Sequence, residues 1–285
     1  MWNELSMVVG IADAHAGPLL LLVGAAAGLI GGALGIGGGI LMIPAMAIFL
    51  GDHHFGDNSF HFYKLAAITT SIVLSIPAAA RHMRAKAVVF RMLPGILPLA
   101  VVGVVGGVLL ASVFRDEHTI LLRRLFGAFL EVLVLSNVFQ AWRAARGEFH
   151  VCGTSPMPTR RLLIGLVVGL PAGFIAGMLG VGGGVWAVPA QGQLLGIRIR
   201  NAIANSSFMI ICVAIATSIS LSYTITRMTD AYSPVEGLKL ALWLAPGALL
   251  GGWCGAGLTH RLPVQWLRSA FQVLLVVTGI RLLVG

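Results

Sequence analysis

The stretch Gly28-Leu-Ile-Gly-Gly-Ala-Leu-Gly35-Ile-Gly37-Gly38-Gly39-Ile-Leu-Met-Ile-Pro44 returns 145 positions later as Gly173-Phe-Ile-Ala-Gly-Met-Leu-Gly180-Val-Gly182-Gly183-Gly184-Val-Trp-Ala-Val-Pro189. The chain is a duplication. Each copy lies in a long apolar segment, where a glycine costs about 1 kcal/mol relative to alanine in a helix interior. Four glycines within five positions, Gly35 to Gly39, therefore argue against unbroken helix. Two hydrophobic segments interrupted at corresponding places are what a secondary transporter shows around its binding site.

Composition agrees with a membrane setting. Apolar residues make up 58% and charged residues 10% of the 285, with a mean hydropathy of +0.93, whereas an ordinary soluble domain is roughly a quarter charged. At about 20 residues per span the chain allows roughly six to eight crossings and leaves no room for a soluble catalytic domain. The net charge of +9 sits mostly in short loops between apolar runs, which makes it a topology signal rather than a nucleic-acid footprint. Cys152, Cys212 and Cys254 have no metal-ligand spacing and read as small core residues. Met1 to Gly17 lacks Lys and Arg, so it reads as a retained N-terminus rather than a signal peptide.

Eight apolar segments follow, at 18–50, 65–80, 88–114, 121–142, 162–195, 202–226, 238–258 and 264–284. The organisation is a first repeat over 1–142, a polar linker over 143–161 rich in Arg, Pro, Gly and Thr, and a second repeat over 162–285. The duplication extends beyond the glycines. Lys64-Leu-Ala-Ala-Ile-Thr69-Thr70-Ser71 stands opposite Arg200-Asn-Ala-Ile-Ala-Asn205-Ser206-Ser207, and Pro98-Leu-Ala-Val-Val-Gly103 opposite Pro246-Gly-Ala-Leu-Leu-Gly251. The expected fold is an all-α polytopic membrane protein of two homologous halves, each a Gly-interrupted helix plus three transmembrane helices.

The first and fifth segments, about 33 residues each, exceed one straight span of about 20. They either cross once with a break or enter and return as re-entrant hairpins. With hairpins and an outside N-terminus, 12 of the 19 basic residues face the cytoplasm; with crossings the best count is 11. Three full crossings per half is an odd number, so the hairpin arrangement also inverts one repeat relative to the other, as alternating access requires.

Broken helix inside a bilayer is tolerated only where protein or a wet cavity surrounds it. The candidate substrate-binding residues are therefore Gly35, Gly37, Gly38 and Gly39, with Gly180, Gly182, Gly183 and Gly184. Short helices are expected to start near Gly39 and Gly184, and helix N-termini with glycine backbones suit an anion. For Gly24, Gly28, Gly169 and Gly173, at i, i+4 spacing, close helix packing is the simpler reading. Neither glycine run is a nucleotide loop, because no Lys-Ser/Thr follows.

Thr69, Thr70 and Ser71, with Asn205, Ser206 and Ser207, add hydrogen-bond donors at matching positions, although back-bonding to their own helices is an equal alternative. Glu131 is the one acid deep in an apolar segment; packing, pairing with Arg123 or Arg124, and proton coupling are all open. Asp52, His53, His54, Asp57 and His61 read as a solvated loop rather than a metal site. Trp186, Gln191 and Gln193 are candidates for a vestibule lining.

The doubled Gly-Gly-x-Leu-Gly-x-Gly-Gly-Gly motif, closed by Pro44 and by Pro189, resembles the TauE/SafE family of membrane permeases, also called the sulfite exporter or DUF81 family. The resemblance covers nearly the whole chain and implies transport of sulfite, sulfoacetate or related organosulfonates across the bacterial inner membrane. It also implies that the glycine runs and polar triplets line the route. The Thr69-Thr70-Ser71 and Asn205-Ser206-Ser207 triplets depart from the Thr-Ser pair frequent in that family.

The resulting expectation is a multi-pass inner-membrane exporter of a small anion, with no cofactor or metal and with the lipid bilayer and the anion as its partners. An inside-negative potential drives each negative charge outward by about 2.3 kcal/mol per 100 mV. The alternatives are uptake of a sulfur-containing anion or carboxylate coupled to H+ or Na+, a membrane-embedded enzyme, and an assembly partner. No HExxH, catalytic acid pair or nucleophile-base spacing supports the enzyme.

Overall fold

A computed structural model describes residues 16–50, 59–114, 119–145, 161–228 and 233–258, with eight further positions between 272 and 283. The N-terminal stretch to residue 15, the Asp52 to Asp57 loop, Cys152 and most of the linker lie outside the described residues, as do the side chains of Arg123 and Gln193. No strand occurs among the described residues. The helices are α1 (Ala16–Leu34), α2 (Gly39–Phe49), α3 (Ser59–Arg84), α4 (Leu93–Ala111) and α5 (Thr119–Ala145) in the first repeat. In the second they are α6 (Arg161–Leu179), α7 (Gly184–Pro189), α8 (Ile199–Met228) and α9 (Pro234–Leu258). The chain is an all-α, multi-pass membrane protein: α1, α3, α4, α6, α8 and α9 are each long and apolar enough to cross a bilayer.

The apolar outer surface agrees. Val102, Leu109, Leu135, Ile219, Leu242 and Leu250 all point outward, as a lipid-facing wall requires. Cys254 is exposed on this wall and Cys212 half-buried, so Cys254 is not the core residue its apolar segment suggested. The expected segment 65–80 is longer than its hydropathy implied. It runs from Ser59 to Arg84 because Phe60, Phe62 and Tyr63 are fully buried and extend the core toward the N-terminus.

Glycine decides how the helices meet. Gly24, Gly28 and Gly32 of α1 sit against the backbone of α9 at Leu244, Ala248 and Gly252, and Gly247, Gly251 and Gly255 of α9 sit against Leu21, Ala25 and Leu29. In the other half Gly169, Gly173 and Gly177 of α6 meet Ile96, Ala100 and Val104 of α4, and Gly103 and Gly107 of α4 meet Leu170 and Phe174. A methyl group at any of these positions would overlap a neighbouring carbonyl oxygen. The four glycines read as packing residues thus do pack, by the small-residue contact that replaces the hydrophobic effect in lipid. In both pairs residue numbers rise together, so the helices run parallel. The first helix of each repeat therefore lies on the third full-length helix of the other repeat.

The same contacts order the ends of the bundle. Asn201 donates to the Ala87 carbonyl at 2.9 Å, the Arg161 backbone abuts Gly95, and Arg81 donates to the Trp253 carbonyl at 2.8 Å. These links gather Arg81, Arg84, Lys86, Arg91, Arg161, Arg198 and Arg200 at one end. At the opposite end the start of α3 meets the end of α4 through His61 and the Phe114 carbonyl, 3.2 Å apart.

Candidate functional site

Two glycine loops form the centre of the molecule. Gly35 and Gly180 end α1 and α6 in the left-handed conformation, φ 64° and 77°, and their amides close the last turns onto Gly31 and Ala176 at 2.9 and 2.8 Å. An L-residue there would lose roughly 1–2 kcal/mol, which is why the sequence places glycine. Gly37, Gly182 and Gly183 are also left-handed, at 83°, 84° and 73°. The helices restart at Gly39 and Gly184, where the motif located them.

The chain reverses at the second loop. Gly183 lies against the Ala172 carbonyl, and the Trp186 indole N–H donates to the Val167 carbonyl at 2.9 Å, so α7 runs back along α6. Pro171 explains the acceptor: having no N–H, it leaves the Val167 carbonyl, four residues earlier, without its usual helical partner. After Pro189 the helix widens into a π turn, Ala190–Leu194, as the ring's clash with the preceding turn encourages. The first loop folds back in the same sense, with Gly37 and Gly38 against Gly31. Its α2 returns to the start of α3, where Met46 and Leu50 join the core of Phe60, Phe62 and Tyr63.

The loops touch each other reciprocally. Gly39 rests on the Gly180 carbonyl and Val181 Cα, and Gly184 rests on the Gly35 carbonyl and Ile36 Cα. Ile210 of α8 faces both Gly37 and Gly182. No hydrogen bond among the described residues uses the amides of Gly37, Gly38, Gly39, Gly182, Gly183 or Gly184. These six donors therefore gather in the interior, beside Leu74 of α3 and Met209 of α8. Gly37 and Gly182 face each other across the seam between the loops.

The polar triplets take unequal parts. The Ser206 hydroxyl donates to the Gly35 carbonyl, tying α8 to the opposite repeat's loop. Asn205 is fully buried; its amide N–H donates to the Gln191 carbonyl oxygen at 2.9 Å and its own oxygen accepts the Val89 amide at 2.7 Å. Thr69 and Ser218 pair across α3 and α8 at 3.1 Å. Thr70, Ser71 and Ser207 donate to the carbonyls of Ala66, Ala67 and Ile203 in their own helices, at 2.8, 2.8 and 3.0 Å. Their hydroxyl lone pairs remain as acceptors, but their protons are committed.

Gln191, expected in a vestibule, is instead fully buried as the partner of Asn205. Trp186 is about one-third exposed and acts as the pin of its hairpin. In α5, Glu131 turns one carboxylate oxygen toward the Gly279 backbone, and that oxygen has no hydrogen bond among the described residues; Arg124 is exposed and forms no ion pair with it. The residue missed in the sequence is Lys64. It is fully buried, donates to the Met178 carbonyl at 2.7 Å, and lays its Cβ and Cγ over Gly180, where a methyl group would crowd them. The signal was present in the aromatic run Phe60, Phe62 and Tyr63, which places Lys64 inside a helix rather than ahead of one.

The chain is similar in sequence to several membrane transporter proteins. The chain is 28% identical over 280 residues to "Probable membrane transporter protein MamO" of Magnetospirillum gryphiswaldense, covering 90% of this chain and 43% of that protein. It is 26% identical over 288 residues to the MamO of Paramagnetospirillum magneticum, covering 93% and 44%. The chain thus spans less than half the length of these two relatives. With "Probable membrane transporter protein y4hK" of Sinorhizobium fredii it shares 26% identity over 224 residues, 77% of this chain and 82% of that one. No solved structure matches. The sulfite exporter TauE/SafE family matches residues 20–282, spanning both glycine loops and the nine helices named above except the first four residues of α1; the chain belongs to that family.

Proposed function

We propose that the protein is a permease for a small oxyanion, sulfite or an organosulfonate, exporting it across the bacterial inner membrane by alternating access around the two glycine loops. The observation that carries this reading is the reciprocal contact of the loops, with six unused backbone amides in the interior of a lipid-facing bundle. Amide donors stabilise an anion without a buried charge of their own, and glycine lets the substrate approach the backbone. Ser206 and Asn205 from α8, with Thr69 from α3, would complete the polar surround.

The two repeats are read as oppositely inserted. The parallel pairing of α1 with α9 and of α4 with α6 supports this, as does the gathering of basic residues at one end, which is assigned to the cytoplasm by the positive-inside rule. The relatives' names, membrane transporter proteins, favour transport over catalysis. Export needs no coupling ion, because the potential supplies about 2.3 kcal/mol per 100 mV per charge.

The test is flux of sulfite, sulfoacetate, taurine, thiosulfate and lactate from proteoliposomes with and without an imposed potential. Saturable movement of sulfite or a sulfonate, accelerated when the receiving side is positive, is the expected result. Movement of none of these anions defeats the proposal, and lactate alone redirects it to carboxylates.

Coupled uptake is the second reading, favoured by the buried carboxylate oxygen of Glu131 with no described hydrogen-bond partner. It requires anion accumulation driven by an inward H+ or Na+ gradient and abolished in Glu131→Gln; gradient-independent flux removes it.

A further inference from the structure

We infer that Lys64 holds the charge of the transported anion, and that its bond to Met178 is the resting contact from which it is displaced. This rests on the transport reading above. Lys64 lies wholly within α3, with no accessible surface. An ammonium has three N–H donors; one reaches the Met178 carbonyl, and no carboxylate among the described residues lies within ion-pair range. Membrane-embedded cations are costly and normally pair with a counter-charge. Among the described residues Lys64 has only a neutral carbonyl.

That carbonyl belongs to the last turn of α6, where the break at Gly180 removes the amides that would have bonded it. The Lys64 stem lies directly on Gly180, and Ile43 of α2 meets the same glycine. The ammonium is thus held at the joint between the two loops. The opposite repeat has no equivalent there, since Arg200, the residue matching Lys64, is exposed at the start of α8. Among the described residues the fold therefore supplies two symmetric sets of backbone donors but one interior cation. An oxyanion arriving at the loops would find two spare N–H donors on Lys64, and shifting the ammonium from Met178 to the anion would unlatch α3 from the end of α6. Substrate charge would then be what frees the second loop to part from the first.

A purely structural role, capping the end of α6, makes the opposite predictions, and three variants of the full chain separate the two. Lys64→Met retains the length of the stem and removes the charge. Removing a buried charge that has no counter-charge relieves its desolvation cost, so its unfolding midpoint in detergent without ligand should stay level or rise. Sulfite flux should fall at least about tenfold, the cost of losing a charged hydrogen bond, and the rise in unfolding midpoint that sulfite causes in the wild type should vanish. Lys64→Arg should regain part of both signals, and Lys64→Gln, a neutral donor that tests the charge should Lys64→Met fail to insert, should regain neither. Wild-type flux in Lys64→Met or in Lys64→Gln overturns the inference while leaving the permease reading standing. A lowered midpoint in Lys64→Met without sulfite assigns Lys64 to capping and also overturns it. If the wild-type protein moves none of the five anions, the permease reading and this role fall together.

Discussion

The two glycine hairpins descend from one motif, yet they are fastened differently. In the first, two glycines are left-handed, Gly38 keeps a helical φ of −84°, and α2 runs unbroken for 11 residues through Pro44 among Ile43, Met42 and Met46. In the second, three glycines are left-handed, the helix gives way to a π turn after Pro189, and polar side chains hold it in place. Trp186 pins α7 to α6, Gln191 joins it to Asn205, and Lys64 donates to the Met178 carbonyl at the end of α6. Two copies of one backbone device thus differ chiefly in what surrounds them: greasy, adaptable methionines on one side and specific hydrogen bonds on the other. Such a difference suits one hairpin as a packed abutment and the other as a latch that polar exchange can release.

The comparison breaks most severely at the shared interface. Gly39→Ala and Gly184→Ala each push a methyl into the opposite loop's carbonyl, where neither backbone can yield. Both should cost about 3 kcal/mol, the upper end of overpacking penalties, as equal drops in thermal unfolding midpoint; a large inequality would show that the contact is not reciprocal. Next comes the position where the copies diverge. Gly183→Ala combines a left-handed φ with the Ala172 carbonyl and should cost about 2 kcal/mol. Gly38→Ala meets only the movable ends of Leu74 and Met42 and should cost under about 1 kcal/mol. Equal losses would dissolve the distinction.

The polar fastenings rank below the shared interface. Asn205→Leu strips two buried bonds, leaving the Val89 amide and the Gln191 side-chain oxygen unpaired, and should cost about 2 kcal/mol. The matching Thr69→Val removes one bond between hydroxyls at a half-buried position and should cost about 0.5 kcal/mol. Trp186→Phe, which keeps the ring and deletes the indole N–H, should cost at most about 1 kcal/mol. Its expected signature is faster amide hydrogen exchange in α7 than in α2, and identical exchange in the two helices would remove Trp186 as a pin.

Much of this was legible in the residues. The loops begin and end where the glycines and prolines place them, because left-handed turns and helix restarts are local properties of the backbone. Gly24, Gly28, Gly169 and Gly173 announced close packing by their spacing, although not that their partners lie in the opposite repeat. The triplets were visible as polar groups, but Ser206 and Ser207 look alike in one dimension. Only one of them bonds across to Gly35, because side-chain direction around a helix advances about 100° per residue. Gln191 read as a vestibule-lining group for want of its partner Asn205, 14 positions away.

The sequence by itself determined that the chain is a duplicated, helical membrane protein broken at two glycine runs, since hydropathy, periodicity and left-handed glycine are written locally. The tertiary structure decided what those breaks touch. Parallel packing of each repeat's first helix on the other repeat brings Gly39 to Gly180 and Gly184 to Gly35, and carries the buried amine of Lys64 to the end of a helix 114 positions distant. Residues that far apart in the chain become neighbours only once backbones stripped of side chains can approach closely enough to interlock.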